Sequence, residues 1–236
     1  CAVVDAGVAP GIPNFLLGYW DSKIKVNSFD YLVGGLPKNP LPPYNYKAPF
    51  SPIDVIEEYT RPARMMINSK IVTKPALSEI EELDIIDAGK LEAFNTDGLR
   101  SLLITMDHIP NMKEKTLRYP GHAALMQSMI DKNLFDENNF KNTVQKLFND
   151  WKLNDNEPEF TVLDINIYGS EKNIHYHLYD EMDMLSKSSS MARTTGYTAT
   201  ATVNMLLKKI WSKKGVSAPE IVGTNEHCIN FLLEYL

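Results

Sequence analysis

Four short clusters set an arginine or a histidine beside a turn or a helix start: Glu58-Tyr59-Thr60-Arg61-Pro62-Ala63, Thr96-Asp97-Gly98-Leu99-Arg100, Arg118-Tyr119-Pro120-Gly121-His122 and Met191-Ala192-Arg193-Thr194-Thr195-Gly196. A guanidinium holds a carboxylate through two parallel hydrogen bonds, and an imidazole moves protons near neutral pH. A site for an amino acid needs both abilities.

Each cluster also has a structural reading. Arginines near helix ends cap carbonyls or pair with surface carboxylates. Asp97 is placed to N-cap a helix beginning near Leu99, and His122 to cap its own helix or fill a core. His175 and His177 lie two apart on a strand and so share a face, as half a metal site or as a solvent-facing pair. The acidic run 78–87 reads as a solvated strand face. A dinucleotide site needs a glycine-rich turn between strand and helix, and the chain has no GxGxxG and no Walker-type loop. The nearest match, Gly7-Val8-Ala9-Pro10-Gly11, has another spacing and a proline where an amide donor is needed.

The elements that must position these residues follow from periodicity and punctuation. Ala2-Val3-Val4 reads as the end of a buried strand, and the opening at Cys1 inside it as the start of a fragment. The two glycines and two prolines of 5–14 make a loop feeding an apolar helix over 15–20. A strand over 29–35 runs into the proline-rich 36–43, an extended loop. Ser51-Pro52 starts a helix that ends near Tyr59. Strands are expected over 64–67 and 70–73 around Asn68-Ser69, then over 80–86 and 91–94. Next come a helix over 99–106, a strand over 113–119, and helices over 123–132 and 140–151. The strongest hairpin joins 160–168 to 174–179 through 169–173. A long helix over 191–211 and an amphipathic segment over 225–236 close the chain. The expected fold is α+β, with a largely antiparallel mixed sheet and helices packed on one face.

Composition narrows the function. The chain of 236 residues is 44% hydrophobic with a net charge of -6, without the basic excess of a nucleic-acid binder. It has two cysteines, Cys1 and Cys228, without ligand-like spacing, so no metal site or disulfide framework is expected and a reducing cytoplasm fits. No apolar run reaches a membrane span of about 20 residues.

Taken in order, several segments resemble the saccharopine dehydrogenase family, closest to its lysine 6-dehydrogenase branch. They are Asp5-Ala6-Gly7-Val8-Ala9-Pro10-Gly11, Val33-Gly34-Gly35-Leu36-Pro37, Ser51-Pro52, Leu91-Glu92-Ala93-Phe94, Thr116-Leu117, the four clusters above, and Gly215-Val216 with Pro219-Glu220. The resemblance implies that residues 1–236 are one substrate-binding, catalytic and dimerisation domain, of the kind that closes homoserine and saccharopine dehydrogenases. It would lack its N-terminal Rossmann domain, toward which the 190–236 helical tail would return. The implied parent uses NAD or NADP to oxidise a CH–NH group of lysine or a saccharopine-like substrate. Neither cofactor is expected on this chain, which is expected to be inactive alone. On this reading Arg100, Arg118, Arg193 and Thr195 hold substrate and His122 or Asp97 accepts a proton. Asp5, Gly7, Pro10 and Gly11 face the nicotinamide once the nucleotide domain is present. A homodimer is implied, with no nucleic acid or membrane partner. Two alternatives remain open: a non-catalytic oligomerisation or amino-acid-sensing module of the same fold, and an enzyme for another amine or a reductase forming a carbon–nitrogen bond.

Overall fold

The computed structural model describes residues 1–154 and 157–236. Residues 155 and 156, in the 133–158 segment where sequence places no motif, lie outside the described residues. The strands are β1 (Ala2–Val3), β2 (Val26–Pro37), β3 (Ala63–Ile67), β4 (Lys70–Lys74), β5 (Glu81–Ile85), β6 (Gly89–Asn95), β7 (Asn111–Arg118), β8 (Glu159–Gly169), β9 (Asn173–Glu181) and β10 (Val216–Ser217). The helices are α1 (Ile12–Asp21), α2 (Pro52–Thr60), α3 (Leu102–Thr105), α4 (His122–Asp131), α5 (Phe140–Asp150), α6 (Ser190–Leu207), α7 (Pro219–Gly223) and α8 (Glu226–Leu233).

Eight strands form one sheet in the order β4-β3-β7-β2-β8-β9, with β6 also on β7 and β5 on β6. All its pairings are antiparallel except β2 with β7, which makes the sheet mixed. The 160–179 hairpin appears as expected, because Leu163, Ile165 and Ile167 alternate with residues of the other face and all three are buried.

The edge of β7 away from β2 is shared. Met112 pairs with Met66 of β3, and 115–118 pair with 92–95 of β6. Glu114 lies between the two ladders, opposite Tyr31 on the β2 side. The sheet edge is therefore forked at Glu114, and the chain leaving β6 passes through the fork as Thr96-Asp97-Gly98.

In-register pairing puts Tyr31, Val33, Phe94, Glu114, Thr116 and Arg118 on one face. Two buried clusters cover that face. One gathers Phe29, Tyr31, Ile165 and Ile167 with Leu16 of α1 and Leu102 of α3. The other gathers Phe94 with Val55 and Tyr59 of α2, Met126 of α4, Leu147 of α5 and Trp151. Each such side chain contributes roughly 1.5–3 kcal/mol by leaving water. The opposite face carries a smaller cluster around Leu36, Leu117, Phe160 and Val162.

Helix α1 crosses α7 with main chain against main chain. A Cβ on Gly18 would fall 1.9 Å from the Glu220 carbonyl oxygen, and one on Gly223 would fall 2.1 Å from that of Phe15. Glu220 is fully buried in this crossing, accepting from Asn14 Nδ2 at 3.1 Å and from the Thr105 hydroxyl. Strand β1 pairs in parallel with β10, so the first strand lies beside the segment leading to α7. No helix among the described residues is long and apolar enough to cross a membrane.

Candidate functional site

A cleft of about 270 Å³ opens where the two core clusters meet, at the fork in the sheet. Its floor is Tyr31, Val33, Thr96, Gly98, Glu114 and Thr116. One wall is the α2 face carrying Asp54, Glu57, Glu58 and Arg61, and the other is Ala9, Pro10 and Arg100. Asp54, Glu57, Glu58 and Arg61 recur at three- and four-residue intervals, so one helical face delivers all four. A second hollow of about 440 Å³ shares Ala9, Pro10 and Glu58 with the cleft and continues it past Phe50 and Met191 to Asp5, Gly7 and Thr195.

Asp97 is 5% exposed, and both its oxygens are occupied. Arg64 donates to it through Nε (3.0 Å) and Nη2 (2.8 Å), the Arg64 amide adds a bond at 3.1 Å, and Arg61 Nε stands at 3.3 Å. Asp97 therefore does not cap a helix. It ties β3 across the fork and holds Arg61 at the cleft wall. Arg100 has a left-handed φ of 52°, is 45% exposed by its side chain and reaches toward Asp5 at 3.5 Å. That φ also explains why the expected helix over 99–106 forms only from Leu102.

Arg118 and His122 stand behind the cleft. Arg118 is 3% exposed, stacks 4.4 Å over Tyr46, and donates to Tyr59 Oη (2.9 Å) and Glu58 Oε2 (3.2 Å). His122 is 1% exposed, with Nδ1 2.8 Å from the Tyr44 carbonyl and Nε2 2.9 Å from Tyr59 Oη. The carbonyl can only accept, so Nδ1 carries the proton and Nε2 accepts from the tyrosine. Burial, aided by the neighbouring Arg118 charge, lowers the His122 pKa to about 3. A neutral, enclosed imidazole at neutral pH does not fit the proton-accepting role expected of it. The chain His122–Tyr59–Arg118 instead steadies Glu58, whose carboxyl lies above its ordinary pKa chiefly through burial.

Glu114, which sequence reading did not single out, is 4% exposed. Thr96 Oγ1 lies 2.8 Å from each of its oxygens, and the Gly98 amide donates to Oε2 at 3.0 Å. Burial raises its pKa to about 7; the Thr96 hydroxyl and Gly98 amide oppose the rise, while Glu58 and Asp97 add to it. The approach requires Gly98, since a Cβ there would stand 2.6 Å from the Glu114 carboxylate.

Arg193 lies outside the lining of both hollows, with Nη2 3.2 Å from Asp180 Oδ1 and its guanidinium 5.8 Å from the Tyr197 ring centre. Thr195 lies beside the 5–11 loop, where a Cβ on Gly7 would touch its methyl at 3.4 Å. That loop closes on itself: Gly7 N donates to the Pro10 carbonyl (3.0 Å), Gly11 N to Asn14 Oδ1 (3.2 Å) and Ile12 N to the Gly7 carbonyl (3.1 Å). The two glycine amides are thus occupied and Pro10 has none, so the glycines do not offer the free donors of a pyrophosphate-binding turn. What Ala9, Pro10, Phe50 and Met191 do offer is an apolar wall.

His175 and His177 share Asp164 Oδ1, at 2.8 and 3.1 Å, and the His177 side chain is only 18% exposed, so the pair is not solvent-facing as a unit. Among the described residues no group of three or more His, Cys, Asp or Glu side chains is arranged to hold a metal ion.

The fold is matched by known proteins. Residues 7–236 match the family defined by the saccharopine dehydrogenase C-terminal domain, and the chain belongs to that family. Among solved structures, it is similar to apo saccharopine dehydrogenase (L-Glu forming) from Saccharomyces cerevisiae, with a TM-score of 0.71 and 17% identity over 98% of this chain and 71% of that one. It is also similar to a homospermidine synthase from Legionella pneumophila solved in complex with NAD, with a TM-score of 0.69 and 10% identity over 100% of this chain and 62% of that one. At these identities the likeness is one of fold, and the chain spans less than two thirds of the synthase.

Proposed function

We propose that this domain is the substrate half of an NAD(P)-dependent dehydrogenase acting on the CH–NH group of lysine or a saccharopine-like amino acid. The observation that carries the reading is the charge layout of the cleft: partly exposed Arg61 and Arg100 at its walls and the carboxylates Glu58 and Glu114 deeper in. That is the complement of a molecule with a carboxylate at one end and an amine at the other.

Arg61, oriented by Asp97, and Arg100 hold the substrate carboxylate, a task for which the planar guanidinium is suited. Glu58, steadied by Arg118, faces the amine. The apolar wall of Ala9, Pro10, Phe50 and Met191 excludes water from the reacting carbon. A nicotinamide presented by a nucleotide-binding domain supplies the hydride acceptor, and Asp5, Gly7, Pro10 and Thr195 lie along the hollow it would enter. Without that domain the chain binds substrate weakly and does not turn it over. Self-association into a homodimer belongs to the same reading.

Calorimetric titration of this chain with L-lysine and with saccharopine, using NAD and NADP as controls, tests the proposal. Weak amino-acid binding that disappears in Arg61→Ala and Arg100→Ala, with no nucleotide binding, is the expected result. Tight nucleotide binding, or amino-acid binding indifferent to both arginines, overturns it.

A further inference from the structure

We propose that Glu114, held in the fork of the sheet by Thr96 and Gly98, is the group that takes the proton from the substrate ammonium. The inference rests on the reading of the cleft as an amine site and adds the residue that performs the proton step.

Glu114 differs from Asp97 and Glu58, its neighbours among the carboxylates that line the cleft. Asp97 is matched by Arg61 and Arg64, and Glu58 by Arg118. The groups that hold Glu114 are neutral: the Thr96 hydroxyl, the Gly98 amide and, at 3.5 Å, the Thr116 hydroxyl. Among the described residues no lysine, arginine or histidine nitrogen forms an ion pair with it. A carboxylate buried without a counter-cation is costly unless a charge or a proton reaches it, and the space from which either arrives is the cleft. The titratable groups around the same cleft are Tyr31 from β2, Asp54, Glu57 and Glu58 from α2, Arg61 just past its end, and Asp97 and Arg100 from the 96–100 segment. The Tyr31 hydroxyl donates to the Gly98 carbonyl at 2.9 Å, and burial raises its pKa well above the ordinary range, so it stays a phenol.

The step is a proton transfer. A substrate N–H bond breaks with its electron pair left on nitrogen, and an O–H bond forms on Glu114. A cation and an anion become a neutral amine and a neutral acid. Burial favours that change because it penalises both charged forms. The nitrogen lone pair is then free to form the C=N bond when hydride leaves the adjacent carbon. A pKa near 7 suits the exchange of a proton in both directions at neutral pH.

Two readouts on the purified chain test this without turnover. In the first, carboxyl-¹³C glutamate labelling, with Glu114→Gln supplying the assignment, follows the Glu114 resonance by NMR on addition of L-lysine, saccharopine or n-butylammonium. In the second, calorimetry in buffers of different ionisation enthalpy counts protons released when the amine binds. Because substrate ammonium and Glu114 together retain one proton in the complex, wild type should release about one proton at pH 6 and close to none at pH 8. Glu114→Gln should release none at either pH, and Glu114→Asp should keep part of the effect. A Glu114 resonance unmoved by all three amines, or proton release unchanged in Glu114→Gln, overturns the proposal. If n-butylammonium moves the resonance while both amino acids are silent, the amino-acid reading falls and the role of Glu114 as an amine acceptor stands.

Discussion

Gly98 and Glu114 make a matched pair: the glycine amide donates to the carboxylate at 3.0 Å, and a methyl group at the same position would lie 2.6 Å from its carbon. Gly98→Ala is expected to push Glu114 out of the fork, with a loss of about 1–3 kcal/mol of stability from overpacking. Urea unfolding measures the loss, and amine binding in the folded protein should weaken with it.

Glu114 also gives stability a pH signature. Its folded pKa, about 7, lies above the ordinary 4.5, so the folded state binds more protons between those values and stability falls as pH rises through that window. Glu114→Gln should remove the fall and leave the variant more stable than wild type at pH 8. Denaturant midpoints at pH 5 and pH 8 compare the two. A variant equally weakened at both pH values would show that burial of this charge has no cost.

His122 acts with the opposite sign. Its folded pKa, about 3, lies below the ordinary 6.5, so unfolded chains bind the proton first and stability drops as pH falls from 6.5 toward 3. The slope is at most about 1.4 kcal/mol per pH unit. His122→Gln should be less stable than wild type at pH 7.5 and close part of that gap by pH 5.5, where most carboxylates have not yet titrated.

Arg118→Ala is expected to cost roughly 2–5 kcal/mol, because it empties a buried site against Tyr46 and Tyr59 and takes a donor from Tyr59 Oη and from half-buried Glu58. Arg118→Lys should recover little, since a lysine cannot reach Tyr59 and Glu58 with separate planar donors while covering Tyr46. Thermal unfolding of both variants checks the order.

Arg193→Ala serves as the contrast. Its guanidinium pairs with Asp180 away from the cleft lining, so amino-acid affinity should change less than about twofold. Calorimetry beside Arg100→Ala, where binding should be lost, separates the two arginines.

Much of the fold was legible because local pattern and tertiary position agree. The alternation in 160–168 has a period of two, and its even-spaced apolar residues lie on one buried face. The strands around Asn68-Ser69 and the helix beginning at Pro52 were likewise written in turn chemistry. The site was only partly legible. Arg61, Asp97 and Arg100 stood out as charges beside turns, and all three line the cleft. Glu114 did not, because Lys113-Glu114-Lys115 reads as a solvated strand; its burial comes from the fork, a product of non-local pairing with β3 and β6. His122 looked reactive for its residue type, and only the packing of Tyr44, Tyr46, Tyr59 and Trp151 around it shows that it is enclosed and held neutral. The parallel β2–β7 pair joins segments some 80 residues apart and leaves no local trace. Helix α7 is too short to show a period.

The crossing of α1 and α7 has a mechanical consequence. With backbone on backbone at Gly18 and Gly223, there is no cushion of side chains to let one helix slide past the other. The 5–11 loop is hinged directly on the start of α1, so Ala9 and Pro10, the lip of the cleft, ride on the same lever as the C-terminal helices. An alanine at Gly18 or Gly223 is therefore expected to displace α1, and Ala9 and Pro10 with it.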